Sequence, residues 1–191
     1  DRPRRATCPV RHDRSFTGMM PAMHRTMRLM SPFLALAALA LPVQAQDDSP
    51  YVTVQVLKPE IAVQMAQAAM THCRDEGYQV GVSVVDRFGT LQVFVKDRYA
   101  GLHVQETSFR KAWTAVSFRT DTHTLDSQMQ PGSDAAGLRH LSQVLPVGGG
   151  VVVEGGGQMV GAIGISGAPS PELDVACAEA GIEAVADAIA F

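Results

Sequence analysis

The stretch LPVGGGVVVEGGGQMVGAIGISGAP, residues 145–169, contains nine glycines among twenty-five residues. Glycine inside a regular element costs about 0.5–1 kcal/mol relative to alanine, so each one needs a turn, a close backbone approach or a ligand. The apolar segments 151–153 and 159–165 are typical of strands, and the glycines at 155–157 suit a tight turn between them. The stretch therefore predicts a β-hairpin, preceded by a second glycine run at 148–150.

A second hairpin is predicted upstream of the glycine-rich stretch. The segment VSVVDRFGTLQVFV, residues 82–95, contains two valine-rich runs separated by DRFG. Asp86 can accept hydrogen bonds from the backbone at the start of this turn, and Gly89 can adopt a positive φ. Two tight strand pairs in one chain favour an antiparallel sheet.

Helical patterns surround the two hairpins. Pro59 opens a helix that is expected to end before Gly77, because proline suits a first helical turn and glycine suits a helix end. A second helix is predicted over QETSFRKAWTAVSF, residues 105–118, and a last one runs from Pro171 through residue 190. A further short helix is predicted over 120–129, and a loop over 131–137. The order helix, hairpin, helix, hairpin, helix predicts an α+β domain with helices packed on the sheet.

The amino-terminal region has the pattern of a secretory signal. Arg25 and Arg28 precede a short apolar run, and Val43-Gln44-Ala45 suits cleavage before Gln46. The run at 33–41 is shorter than the roughly 20 apolar residues of a membrane span. We therefore interpret residues 1–22 as an upstream extension, 23–45 as a signal peptide, 46–57 as a lead-in and 58–191 as the domain. This interpretation predicts a periplasmic or secreted protein whose mature form has no membrane span.

Composition excludes several classes of function. The formal net charge is −3 and the isoelectric point is near 6.1, so no basic field exists for nucleic acid. The glycines at 161, 164 and 167 lack the spacing and the strand-to-helix position of a dinucleotide fingerprint, and no phosphate-loop Gly-Lys-Ser/Thr is present. No Cys-x-x-Cys-His motif for covalent haem attachment and no zinc-type ligand spacing occur either.

The mature region contains two cysteines, Cys73 and Cys177. Two thiols in an exported protein can form a disulfide. Free cysteine also packs as a small buried apolar residue, so two separate core positions explain them equally simply. Their spacing in the sequence does not decide between these alternatives.

Four motifs together resemble the GlcG/HbpS family of haem-degrading domains: LPVGGGVVV, GAIGISGAPSPELDVACAEAG, VSVVDRFGTL and the helix with RKAWTA. The resemblance covers about residues 59–189. It implies a single profilin-like domain, with a five-stranded antiparallel sheet, helices on both faces and assembly into homo-oligomers. In such a fold the first and last helices share a face, which can bring Cys73 and Cys177 together if their Cα atoms lie within about 7 Å.

The resemblance also implies a tendency toward haem, since some family members bind it and one exported member signals to a sensor kinase. Our first hypothesis is an exported haem-binding protein for capture, buffering or sensing. A second is an enzyme that acts on a small carboxylic or aromatic substrate in the same pocket. A third is an oligomeric interaction module for a sensor partner.

Haem needs an iron ligand, an apolar slot and groups that hold its propionates. The candidate ligand-binding residues are His72, His103, His140, Lys111, Gly148, Gly149 and Gly150, with His103 and His72 as the candidate iron ligands. His103 lies in a loop and is the freest to coordinate, whereas a lone helical histidine such as His72 also fits a core boundary. Lys111 matches the lysine of the family's K-A-x-T-A motif, where it holds a carboxylate or is simply exposed.

Overall fold

The computed structural model describes residues 49–190. The upstream extension, the signal peptide and the start of the lead-in lie outside these residues. The elements follow in the order α1 (Pro59–Asp75), β1 (Gly81–Asp86), β2 (Leu91–Lys96), α2 (Val104–Phe118), α3 (Thr122–Gln128), a 3₁₀ helix (Ala136–His140), β3 (Gly150–Gly155), β4 (Gln158–Ser166), α4 (Pro171–Glu183) and α5 (Ala186–Ile189). The predicted succession of helices and hairpins is confirmed.

The strands form one antiparallel sheet in the order β2-β1-β4-β3. The two hairpins therefore meet through β1 and β4 at the centre of the sheet. The described residues form four strands, where the resemblance implied five. The fold is a mixed α+β fold, and its profilin-like character stays a prediction.

Side chains alternate between two apolar layers, one on each face of the sheet. Val82 and Val84 of β1 point toward α1 and α4, in the larger core cluster. Val85 instead packs with Ala112 of α2 and Ala162 of β4 on the opposite face. Because successive strand residues face opposite sides, the valine run of β1 serves both layers. The expected helices on both faces are confirmed.

The two cysteines form a disulfide that links α1 to α4. Cys73 and Cys177 are both buried, and their Cα atoms are 5.5 Å apart. The two helices also approach closely at Gly181, where an added β-carbon would lie 2.8 Å from Ala69. The structure thus selects the disulfide from the two alternatives that the sequence left open.

Both hairpin turns have the chemistry that the sequence predicts. The Asp86 carboxylate accepts hydrogen bonds from the N–H groups of Phe88 and Thr90, at 2.8 and 3.0 Å. The second turn has positive φ at Gly156 and Gly157, 55° and 75°, which is the requirement of a two-residue type I′ turn. The glycines of this turn are therefore explained by backbone geometry.

The carboxy-terminal helix differs from its prediction. One helix was expected over residues 171–190, but α4 ends at Glu183 and α5 begins at Ala186. Between them Val185 has a φ of −120° and is buried in the larger core cluster. The break thus turns an apolar side chain into the core. Within residues 49–190, no helix has the length and apolar character needed to cross a membrane.

Candidate functional site

His103 immediately precedes α2. Its side chain is exposed and makes no capping hydrogen bond. The imidazole lies over Gly101, where an added β-carbon would be 2.5 Å from the ring. Within the described part of the chain, neither ring nitrogen has a hydrogen-bond partner. His103 is therefore available to coordinate, as the sequence predicts for a loop histidine.

His103 borders an apolar groove between β2 and the start of α2, which we call the His103 groove. Its volume is about 500 Å³, within the range of small-molecule sites. The most exposed of its apolar residues is Leu102, with 94% of its surface accessible. The groove is lined by Gly89, Thr90, Leu91, Phe94, Leu102, His103, Gln105, Glu106 and Phe109. Of these residues, only His103 is among the candidate ligand-binding residues predicted from the sequence.

On its other side, His103 borders a more polar cleft of about 300 Å³, which we call the Lys111 cleft. The sequence left two alternatives for Lys111, an exposed lysine or one that holds a carboxylate. The structure shows that it is buried. Its Nζ donates to Asp174 Oδ2 at 2.6 Å, and both side chains are only 5% exposed. Asp174 Oδ1 accepts from the N–H of Ala168 at 3.0 Å. The carboxylate that Lys111 holds is thus one of the protein's own.

Asp174 is a site residue that sequence reasoning did not identify. Its place in the first turn of α4 is ordinary for an acidic residue, because the helix dipole favours negative charge there. Burial raises the pKa of its carboxyl above the ordinary value, and the Lys111 ammonium and the N–H groups of Ala168 and Gly167 only partly oppose that shift. No local pattern connects two residues 63 positions apart.

The glycine run at 148–150 allows the backbone to pack against α2 and α4. An added β-carbon on Gly150 would overlap the Lys111 carbonyl group, and one on Gly149 would lie 2.7 Å from Asp174 Cβ. Gly149 also has a φ of 114°, which strongly favours glycine. An added β-carbon on Gly148 would lie 3.1 Å from Pro171 Cβ. Of the alternatives that the sequence left open for these glycines, the structure shows a close backbone approach to the protein itself.

The structure does not gather all the predicted ligand residues in one place. His103 and Lys111 both line the Lys111 cleft, but Gly148, Gly149 and Gly150 line neither the cleft nor the groove. His72 is half-buried on α1, across the sheet from α2, and His140 is exposed at the end of the 3₁₀ helix. The roles of His72, His140 and the glycines in ligand binding stay predictions. Residues 49–190 hold no group of three His, Cys, Asp or Glu placed to bind a metal ion.

The residues at the His103 groove fit part of what haem requires. An unpartnered imidazole stands beside an apolar surface that contains Phe94 and Phe109. Two cations of α2 are already engaged, because Arg110 pairs with Glu106 at 3.1 Å and Lys111 pairs with Asp174. The groove therefore offers an unpartnered imidazole and apolar walls, but neither of these two cations is free to hold a propionate.

Comparison with known proteins finds similar sequences and similar structures. The family described as haem-degrading protein HbpS-like matches residues 57–183. The corrinoid adenosyltransferase PduO of Citrobacter freundii is 38% identical over 124 residues, which are 64% of this chain and 37% of PduO. The chain thus spans little more than a third of the length of that relative.

Two solved structures share the fold. A double mutant of Streptomyces reticuli HbpS has a TM-score of 0.67 and 34% identity, and the match covers 75% of this chain and 96% of that one. A complex of PduOC with haem has a TM-score of 0.64 and 37% identity, and the match covers 68% and 94%. The similarity therefore extends over nearly the whole of each solved domain.

Proposed function

The chain belongs to the HbpS-like family of haem-degrading proteins, and from that premise we propose that it is an exported haem-binding protein that uses His103 as iron ligand. The observation that carries the proposal is the imidazole of His103, exposed and without a hydrogen-bond partner in residues 49–190, at the edge of an apolar groove. The haem complex of PduOC, a related domain, supports haem as the ligand.

Each part of the groove has a separate task in this proposal. Neutral imidazole is a common haem ligand. The apolar side chains of Leu91, Phe94 and Phe109 would cover the macrocycle and exclude water. Bound haem supplies an iron centre for ligand exchange and electron transfer. Capture, buffering and sensing all begin with this binding step.

The proposal is tested by titrating the protein with hemin and recording the absorption spectrum. We expect a shifted Soret band for the wild type, and a weakened or displaced band for His103→Ala. His123→Ala is the control, since His123 of α3 is also exposed but lies outside the groove. His72→Ala tests the other predicted iron ligand. An unchanged spectrum for His103→Ala would remove His103 from the proposal.

Export is proposed from the signal pattern of residues 23–45. A disulfide between Cys73 and Cys177 supports this proposal, because such bonds persist mainly in oxidising compartments. Mass spectrometry of protein from the periplasm or medium of a bacterial host should find an amino terminus at Gln46. Full-length protein retained in the cytoplasm would contradict it.

A second candidate is an enzyme of small-carboxylate metabolism. It is favoured by the fact that His103 and Lys111 line one cleft, as an acid–base pair would require. Haem-free protein should then convert a member of a panel of small carboxylates, and His103→Gln should abolish the conversion. If no member of the panel is converted, the enzyme candidate is rejected and haem binding remains as the proposed function.

A further inference from the structure

A third concavity lies across the β1–β2 turn from the His103 groove. Its volume is about 310 Å³. Most of its residues have no part in the site described above. They include Val54, Arg87, Phe88, Trp113, Arg119 and Met159. We call it the arginine cleft, because two guanidinium groups border it.

Neither guanidinium of the arginine cleft is neutralised. Arg87 donates to Gln158 Oε1 at 2.7 Å, which satisfies hydrogen bonding but leaves the charge. The guanidinium of Arg119 has no hydrogen-bond or ion-pair partner among residues 49–190. Asp121 lies two residues after Arg119 in the sequence, but its carboxylate accepts from the N–H of Val152 at 2.8 Å. The cleft therefore combines two positive charges with no acidic partner.

The wall of the arginine cleft is aromatic. Trp113 is half-buried, and part of its ring packs against the small cluster around Leu125 and Met129. The turn glycine Gly89 lies against the indole, where an added β-carbon would be 2.9 Å from Cδ1. The indole N–H has no acceptor within the described part of the chain. An aromatic face and a free donor thus stand beside the two arginines.

The backbone of Arg119 provides an independent observation. It closes α2 with a φ of 52°, and it is the one non-glycine residue with a positive φ in residues 49–190. Glycine is strongly favoured at such a helix end because it has no β-carbon, whereas the left-handed conformation is unfavourable for arginine. Strained non-glycine residues cluster at functional sites. Arg119 lines the cleft.

We propose that the arginine cleft binds a small planar aromatic carboxylate. Guanidinium groups recognise carboxylates through paired hydrogen bonds, and they also stack on flat rings. Trp113 and Phe88 supply surfaces for an aromatic ring, and the indole N–H supplies a third donor. This site is separate from the haem site proposed above and does not depend on it.

The test uses benzoate as the probe and Trp113, the only tryptophan of the chain, as the reporter. We expect benzoate to quench or shift the tryptophan emission of the haem-free protein with saturation in the millimolar range. Arg119→Gly and Arg87→Gln should each weaken binding roughly tenfold, the loss of one charge-assisted interaction. Arg119→Gly also suits the left-handed backbone, so a folding defect is not expected.

Three controls make the test decisive. Arg98→Gln removes an exposed arginine outside the cleft and should leave benzoate binding unchanged. His103→Ala should also leave it unchanged, which separates this proposal from haem binding. Benzamide and acetate, which lack the charge and the ring respectively, should bind at least tenfold more weakly. Undiminished benzoate binding by both arginine variants, equal binding of benzamide, or no saturable signal in the wild type would overturn the proposal.

Discussion

Helix α2 serves two neighbouring regions that are built in opposite ways. At Lys111 the helix is closed against the protein itself, through a buried ion pair with Asp174 and a backbone contact with Gly150. At His103, two turns earlier, it opens onto an apolar groove with an unpartnered imidazole. The most distinctive sequence, the glycine run, therefore belongs to the closed region. The proposed ligand surface is made of residues that form no sequence motif.

This contrast predicts that substitutions in the closed region affect stability, whereas substitutions in the open region affect ligand binding. The largest effect is expected for Lys111→Met, which leaves the carboxylate of Asp174 buried without an opposite charge. Breaking such a pair costs about 3–5 kcal/mol of unfolding free energy. Urea denaturation should show this loss.

Two further variants complete that measurement. Lys111→Met combined with Asp174→Leu should recover most of the stability, since no unpaired charge then remains. Lys96→Met, at an exposed lysine, is the matched control. A Lys111→Met variant as stable as this control would show that the region is not closed.

The next largest effect is expected for Gly150→Ala. Its new methyl group would overlap the Lys111 carbonyl, and such overpacking costs about 1–3 kcal/mol. Gly137→Ala is the matched control, because open space surrounds Gly137, and its change should stay within about 0.5 kcal/mol. Equal unfolding midpoints for the two variants would contradict the close packing.

A smaller effect on the unfolding free energy, dependent on pH, is expected at Asp97. Its partner Arg74 is 41% exposed, so this pair is more open than the pair of Lys111 and Asp174. Arg74 donates to Asp97 at 2.9 Å, and this hydrogen bond lowers the pKa of the Asp97 carboxyl below its ordinary value of 3.8. A lowered native pKa contributes stability above pH 3.8, which is lost as the pH falls through the native pKa.

The difference in unfolding free energy between the wild type and Asp97→Asn should therefore shrink as the solution is acidified below pH 3.8. Comparing the two proteins isolates Asp97 from Asp174, whose pKa is displaced in the other direction. A difference that stays constant across the acid range would mean that the pair with Arg74 does not form in solution.

The smallest effect on stability is expected in the open region, for Leu102→Ser. Leu102 is almost fully exposed, so its unfolding free energy should change by less than about 0.5 kcal/mol. Hemin affinity should nevertheless fall roughly tenfold, because apolar contact with the ligand is lost. Leu141→Ser, at an exposed leucine outside the groove, should alter neither. A large loss of stability with unchanged hemin affinity would reverse the comparison.

Much of the fold could be predicted from the sequence because its determinants are local. Alternating valines, the Asp86 and Gly89 turn and the proline that opens α1 act over a few residues. The break at Val185 was not predictable, since it depends on core positions supplied by other elements. The two hairpins predicted from local patterns supply the four strands of the described residues, whereas the fifth strand was implied only by the family resemblance.

The candidate site was only partly predictable for the same reason. His103 could be identified because a loop histidine is free by default. The partner of Lys111 could not, because Asp174 is brought to it by the packing of α4. The arginine cleft joins residues of the β1–β2 turn to the end of α2, and neither segment signals a site alone.

The bond between Cys73 and Cys177 turns most of the domain into a covalent ring, since 104 positions separate its ends. That ring includes both hairpins, the groove, the Lys111 cleft and all of the arginine cleft except Val54. A protease that nicked the mostly exposed segment at 130–134 would therefore release nothing. The two fragments would migrate as one band on a denaturing gel and separate only after reduction. A single cut in this segment therefore leaves the domain covalently connected.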